Sequence, residues 1–260
     1  KYGFYDNGLK QFIETYKNNQ KHGKSLHWYE DGTRRSESNF SKNKLNGIAK
    51  SWFPNGILKD SSKFKDNQLH GVKYEWYQNG KPKLIGNYLN DKKEGNFSEW
   101  DYDGNKFEGS YKNNQLNGIS TKSDSKGTKQ AEGNYLNDEK NGKWTYFDKN
   151  GYKKYEIIHP DDYYIEYFSN GQKKIQGHFK SYWSYGSSQS KEWFGLVEQW
   201  NVNGEKLSQS NYENGSLNGE MKKFYPNGNT EIQCIYVNNK KHGISKEFYP
   251  NGNNKIIGNY

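Results

Sequence analysis

The sequence predicts an all-β protein, an elongated antiparallel meander of about ten β-hairpin repeats of 24 residues in one open, twisted sheet. Three observations support this fold class. A glycine recurs at an almost constant spacing, aromatic residues recur at fixed distances from it, and few aliphatic residues are present. The recurrent glycines are Gly8, Gly32, Gly56, Gly80, Gly104, Gly127, Gly151, Gly171, Gly204, Gly228 and Gly252.

The residue before the recurrent glycine is Asn or Asp in every repeat except the one with Lys126. Asn-Gly and Asp-Gly between short aromatic-rich runs are typical of tight hairpin turns, in which both turn residues have positive φ. A second glycine follows about 15 residues later, as in Gly23, Gly47 and Gly71. Two glycines in every 24 residues exclude long helices, so each repeat is predicted to be two short antiparallel strands.

Aromatic residues replace the usual aliphatic core. Phe, Trp and Tyr make up 17% of the chain, whereas all hydrophobic residues together make up only 30%. One aromatic lies eight residues after the recurrent glycine, and another lies four residues before it. We expect the second column to stack across the sheet as a structural aromatic ladder. Its tryptophans are Trp28, Trp52, Trp76, Trp100 and Trp200.

The periodicity divides the chain into three segments of one continuous domain. Residues 1–151 and 201–260 are regular arrays, and residues 152–200 are irregular. In the irregular segment, the repeat from Gly151 to Gly171 is four residues short, and an insertion separates Phe179 from Gly195. The chain starts at Lys1 without a methionine and both ends fall inside a repeat, so we expect either a longer natural array or capping segments outside residues 1–260.

The stretch "GNYLNDEKNGKWTYFDKNG" at 133–151 resembles the bacterial variant of the MORN repeat. That variant occurs in proteins of the YwqK type, the antitoxin components that are considered immunity partners of secreted toxins. The resemblance implies a protein partner, such as a toxin or effector, and a location in the bacterial cytoplasm or periplasm. The eukaryotic MORN pattern has denser glycines, so the resemblance does not favour the membrane-lipid binding proposed for eukaryotic members.

The residues suited to catalysis are explained by the repeat. His22, His70 and His242 each precede the second glycine, where other repeats have asparagine, and are predicted to be turn residues. The single cysteine, Cys234, excludes an internal disulfide and a cysteine-based zinc site. The acidic residues lack metal-ligand spacing, and no phosphate-binding loop is visible. The sequence therefore predicts no catalytic residue, no metal site and no cofactor.

The irregular segment contains the candidate binding residues. Identical hairpins present the same surface everywhere, so one partner is recognised specifically where the repetition fails. The alternative interpretation is that the insertion only covers an irregular junction of the sheet. The predicted partner-binding residues are Asp161, Asp162, Tyr182, Trp183, Tyr185 and Trp193.

The sequence thus favours a non-enzymatic protein-binding repeat protein, an antitoxin or immunity protein that neutralises a toxin directly. One alternative is a cell-envelope or surface scaffold for protein–protein interaction, which the same repeats would support. Another is a binder of nucleic acid or anionic lipid, suggested by the net charge of +9. The basic residues form no patch in the sequence and the aromatics are needed for the ladder, so this alternative is not favoured.

Overall fold

The computed structural model describes residues 1–182 and 190–260. In this part of the chain, 23 strands form one open antiparallel sheet in meander order, and there is no helix. None of the described residues therefore belongs to a helix that could span a membrane. The predicted all-β meander of hairpins is confirmed.

The chain divides into two compact units, Lys1–Glu139 and Lys140–Tyr260. The strands of the first unit are β1 (Tyr2–Phe4), β2 (Lys10–Lys17), β3 (Gln20–Trp28), β4 (Arg34–Ser41), β5 (Lys44–Leu45), β6 (Gly47–Trp52), β7 (Leu58–Lys65), β8 (Gln68–Trp76), β9 (Pro82–Leu89), β10 (Lys92–Trp100), β11 (Lys106–Lys112), β12 (Gln115–Ser123) and β13 (Lys129–Leu136). The strand β14 (Glu139–Phe147) begins at the boundary, and the second unit continues with β15 (Lys153–His159), β16 (Tyr163–Tyr167), β17 (Lys173–Tyr182), β18 (Ser190–Trp200), β19 (Lys206–Glu213), β20 (Ser216–Phe224), β21 (Thr230–Val237), β22 (Lys240–Phe248) and β23 (Asn254–Asn259).

The Asn-Gly and Asp-Gly turns differ from the predicted geometry, because only their glycine has positive φ. In the turn after β3, the Gly32 amide donates to the Tyr29 carbonyl (3.0 Å), and the Tyr29 amide donates to the Thr33 carbonyl (2.8 Å). Gly32 has φ +85°, whereas Asp31 stays on the negative side. This is a three-residue loop, a type I turn closed by a left-handed glycine. Because the loop has one residue more than a two-residue turn, Asp31 does not need positive φ.

The opposite end of the regular hairpins has the two-residue turn with two positive φ angles, and it is built mostly by Asn and Asp, with Lys42 and Gly215 as exceptions. In the turn after β4, Lys42 and Asn43 have φ of 49° and 67°. The Asn43 side-chain oxygen also accepts from the Lys21 amide of the preceding repeat at 2.7 Å. Asparagine tolerates positive φ, and its side chain connects two repeats at the same time. The same bridge occurs from Asn67, Asp91, Asn114, Asp138 and Asn239.

The second glycine lies inside a strand, so it bends a strand instead of forming a turn. Gly71 in β8 has φ +123°, and the pairing of β7 with β8 shifts register between Ser62 and Phe64 beside it. The prediction that His22, His70 and His242 are turn residues is therefore wrong. They lie within β3, β8 and β22, next to an irregularity that only glycine adopts without strain.

The core is a row of side chains two residues after the second glycine. Phe97 and Trp144 at this position are 2% and 1% exposed. The residue opposite is often small, as in the pairing of Gly86 with Phe97. A Cβ atom on Gly86 would lie 2.1 Å from the Phe97 ring, so the glycine provides the space that the ring fills. Other buried residues of the row are Ser25, Ser120, Tyr164, Val197, Met221 and Ser245.

The tryptophans of the predicted ladder are all half-buried. Cations lie over several of their rings, with the Arg34 guanidinium 5.0 Å from the Trp28 ring centre and the Lys106 ammonium 5.2 Å from that of Trp100. Their contribution to stability remains a prediction.

Candidate functional site

In the first unit, an aromatic residue begins each of four consecutive glycine turns, at Tyr5, Tyr29, Phe53 and Tyr77. The Tyr29 hydroxyl donates to the Trp52 carbonyl of the next repeat at 2.8 Å, and Tyr77 donates to the Trp100 carbonyl at 2.7 Å. Each bond fixes a ring across the junction between two repeats. We call these four residues the turn-aromatic column. The sequence signal for this column is the aromatic-x-(Asn/Asp)-Gly group, from which only the turns were predicted.

A cavity of about 530 Å³ lies beside this column and is named here the Glu75 cavity. Phe53, Tyr77 and Tyr102 line it, together with Asp60 and Glu75. Tyr102 is 64% exposed, and its ring meets the Tyr77 ring edge-on at 5.5 Å. The cavity therefore combines accessible aromatic surface with charged groups.

A second cavity of about 530 Å³ occupies the next repeat and is named here the Glu99 cavity. Glu99 corresponds to Glu75 one repeat later, and Lys122 and Asp101 also line the space. Tyr77 lines both cavities and so stands between them. The repeated architecture thus places two similar recesses side by side within the first unit.

The carboxylates of the Glu75 cavity are already engaged. The Glu75 carboxylate pairs with the ammonium groups of Lys73 (2.6 Å) and Lys83 (3.1 Å). Burial by itself would raise the pKa of Glu75, but the hydrogen bonds from the two lysines outweigh it and lower that pKa. Asp60 accepts a hydrogen bond from the Ser51 hydroxyl. Within the described residues Lys59, which also lines the cavity, forms no ion pair.

The Glu99 cavity repeats this pattern. Lys93 donates to the Glu99 carboxylate at 2.8 Å, and the Asn105 backbone and side chain both donate to Asp101. Lys122 has no ion-pair partner among the residues that the structure describes, and it is exposed. In both recesses the carboxylates are engaged, while one lysine forms no ion pair among the described residues.

The predicted site in the irregular segment is only partly brought together. Asp162 lies beside His159, with 3.0 Å between its carboxylate and His159 Nδ1, and Asp161 is exposed. Trp193 lies in β18 opposite Phe179, and its ring meets the Tyr164 ring at 5.9 Å. Tyr182 ends β17, and Trp183 and Tyr185 lie outside the described residues. Asp162 and Trp193 thus make contacts within the chain.

The protonation state of His159 makes the stability of the protein depend on pH. Burial lowers the pKa of His159; Asp162 opposes the shift and Lys140 adds to it. Its Nε2 atom is buried without a hydrogen-bond partner. A histidine with a depressed pKa in the folded state binds protons more readily when unfolded. The resulting loss of stability begins as the pH falls through about 6.5, the ordinary value, and continues down to the folded pKa.

We therefore expect the thermal midpoint of the protein to decrease between pH of about 7.5 and about 5.5, and to decrease less in His159→Gln. Midpoints measured by circular dichroism across this range test the expectation. The control is His242→Gln, which changes a histidine of a regular repeat. An equal decrease in both variants and the parent would show that His159 does not contribute.

No group of three or more His, Cys, Asp or Glu side chains arranged to hold a metal ion occurs among residues 1–182 and 190–260.

Hairpins that pair mainly with their neighbours, bridged by repeated turn contacts, define a β-hairpin repeat protein. Such repeats build extended surfaces for binding. The family model described as "MORN repeat variant" matches residues 21–42, 45–66, 69–90, 217–238 and 241–260. The match over these five segments confirms the resemblance of the repeats to the MORN variant.

A search of curated proteins found no match. Among solved structures, the chain is similar to one described as "Crystal Structure of TcdB2-TccC3-Cdc42", with 9% identity and a TM-score of 0.20. That alignment covers 100% of this chain and 17% of the other. A TM-score this low supports no inference about function.

Proposed function

We propose that the chain is a non-enzymatic protein-binding repeat protein, and specifically an antitoxin or immunity protein that neutralises a toxin by covering it. The finer part of this proposal rests on the resemblance of its repeats to those of YwqK-type antitoxin components. The binding function itself is supported by the shape and composition of the surface of the first unit.

The observation that carries the proposal is the pair of open recesses in the first unit. Each holds about 530 Å³, and aromatic surface lines both. Aromatic residues anchor protein interfaces because they bury a large area at a small entropic cost. The exposed Tyr102 and the fixed Tyr77 provide such surface next to charged groups.

The irregular hairpin would supply charge complementarity beside an anchoring contact. Asp161 is exposed, and the described residues hold no ion-pair partner for its carboxylate. A carboxylate at the rim of an interface mainly speeds association with a basic partner. Tyr182 in β17 and Trp193 in β18 remain proposed contact residues, and so do Asp162, Trp183 and Tyr185.

Co-expression with the product of the neighbouring gene tests the function. We expect the protein to relieve growth arrest caused by that product and to co-purify with it as a stable complex. Toxicity that persists although both proteins are soluble, with no complex on size exclusion, would contradict the proposal.

The charge contribution is tested in the same complex. Asp161→Lys should lower the association rate roughly five- to tenfold at low salt without changing the thermal midpoint. Asp6→Lys is the matched control, because it makes the same charge change at an exposed turn of a regular repeat. Equal association rates for the two variants would show that Asp161 does not lie at the interface.

A further inference from the structure

The turn-aromatic column has a spacing that selects the shape of a ligand lying along it. Its members are separated by one hairpin, which corresponds to two strands and therefore to about 9.6 Å. A polyproline II helix completes a turn in three residues and advances about 9.3 Å, so every third residue returns to the same side. An extended strand repeats every ~6.8 Å and an α-helix every ~5.4 Å, and neither matches one ring per hairpin.

The hydrogen bonds from the tyrosine hydroxyls make the column a rigid platform. The Tyr5, Tyr29 and Tyr77 hydroxyls each donate to a carbonyl of the following repeat at 2.7–2.8 Å. The three tyrosine rings are therefore held in place before any ligand binds, whereas Phe53 has no hydroxyl to make this bond. A preformed aromatic groove is the surface on which proline-rich segments dock, because neither partner then loses much conformational freedom.

The polar groups select a ligand that accepts hydrogen bonds and donates few. The carboxylates of Asp60, Glu75 and Glu99 are already engaged by Ser51 or by lysines. Lys59 and Lys122 are exposed, and neither has an ion-pair partner within the described chain. Proline has a backbone carbonyl but no N–H, so a proline-rich segment offers acceptors alone.

We propose that the Glu75 and Glu99 cavities together bind a proline-rich segment of a partner protein in the polyproline II conformation. Successive turns of the segment contact Phe53 and Tyr77, the Tyr102 ring beside Tyr77 enlarges the second contact, and the segment's carbonyls accept hydrogen bonds from Lys59 and Lys122. This inference rests on the proposed protein-binding function and names the kind of segment that the first unit recognises.

Titration of the whole chain with a capped oligoproline of about twelve residues, roughly four polyproline II turns, tests the inference. We expect saturable binding by calorimetry, and none with a glycine-serine peptide of the same length. Tyr77→Leu should weaken binding about five- to tenfold, because it removes the ring between the cavities. Tyr77→Phe should stay within about twofold of the parent, since Phe53 occupies the same position in the previous repeat.

Two further variants separate binding from folding. Tyr225→Leu is the matched control, because the Tyr225 hydroxyl makes the same bond, to the Phe248 carbonyl, in the second unit. It should leave oligoproline binding within about twofold. Lys122→Gln changes an exposed side chain and should weaken binding roughly two- to fivefold with an unchanged thermal midpoint.

The inference is overturned if oligoproline does not bind, or if Tyr225→Leu weakens binding as much as Tyr77→Leu. It is also overturned if a cello-oligosaccharide binds in these cavities and oligoproline does not, which would indicate a polysaccharide ligand. Capture of the neighbouring gene's product by a chain that ignores oligoproline would reject this inference while the proposed function stands. Failure of both measurements would reject both.

Discussion

Replacing Trp144 by alanine is expected to lower the free energy of unfolding by about 3–5 kcal/mol. Trp144 is 1% exposed and lies in the buried row that crosses the sheet. Trp144 is among the few described side chains that are almost completely enclosed, so its removal leaves a cavity inside the packed part of the sheet. Chemical denaturation monitored by circular dichroism measures the loss.

Trp52→Ala is the matched comparison, because Trp52 belongs to the predicted aromatic ladder and is half-buried. We expect it to cost about 1–2 kcal/mol, in proportion to the smaller apolar area that becomes exposed. If Trp52→Ala destabilised the protein as much as Trp144→Ala, the ladder would contribute as strongly as the buried row. A loss below about 0.5 kcal/mol would leave the ladder without a structural role.

Gly86→Ala is expected to cost about 2–3 kcal/mol, although it adds only one methyl group. The new Cβ would lie 2.1 Å from the Phe97 ring, which is itself 2% exposed and cannot move into solvent. Gly258→Ala is the control, since Gly258 occupies the same repeat position and its nearest neighbour would be the Tyr260 ring at 3.3 Å.

A second substitution shows whether the cause is steric. Phe97→Leu by itself should destabilise the protein, but combined with Gly86→Ala it should cost less than the sum of the two changes by about 1 kcal/mol or more. Strict additivity would mean that the methyl group acts through the backbone and not through the ring.

The filling of the buried row distinguishes the recesses from the packed parts of the sheet. Beside the Glu75 cavity, the row holds Lys73, which lies opposite Ser62 of β7, and both residues line the cavity. In the second unit, the rings of Tyr146, Tyr155 and Tyr164 stack at 4.5–5.4 Å. The same fold thus contains a recess where the row holds Lys73 and stacked rings where it holds Tyr164.

The sequence by itself determined the fold class and the repeat, because both depend on local chemistry that recurs. Glycine at a constant spacing, with Asn or Asp before it, allows only short strands joined by tight turns. The sequence also contained the aromatic residues that begin the glycine turns. It did not indicate that the tyrosines among them bond to the next repeat. The outcome for Gly32 and Asp31 shows the limit, since the composition of a turn predicts its position better than its length.

Only the tertiary structure decided which side chains are buried and where recesses form. Burial of Phe97 depends on Gly86 in the neighbouring strand, and the Tyr77 ring is fixed by a carbonyl 23 residues away. The ion pair of Asp162 with His159 was also not visible in the sequence, and the partner contact of Asp162 stays a prediction. Register between strands sets the first two of these relations, and a one-residue shift of a strand would turn its side chains to the other face. The repeat pattern of the sequence shows how often such contacts recur. It does not show which residues of neighbouring strands lie opposite each other.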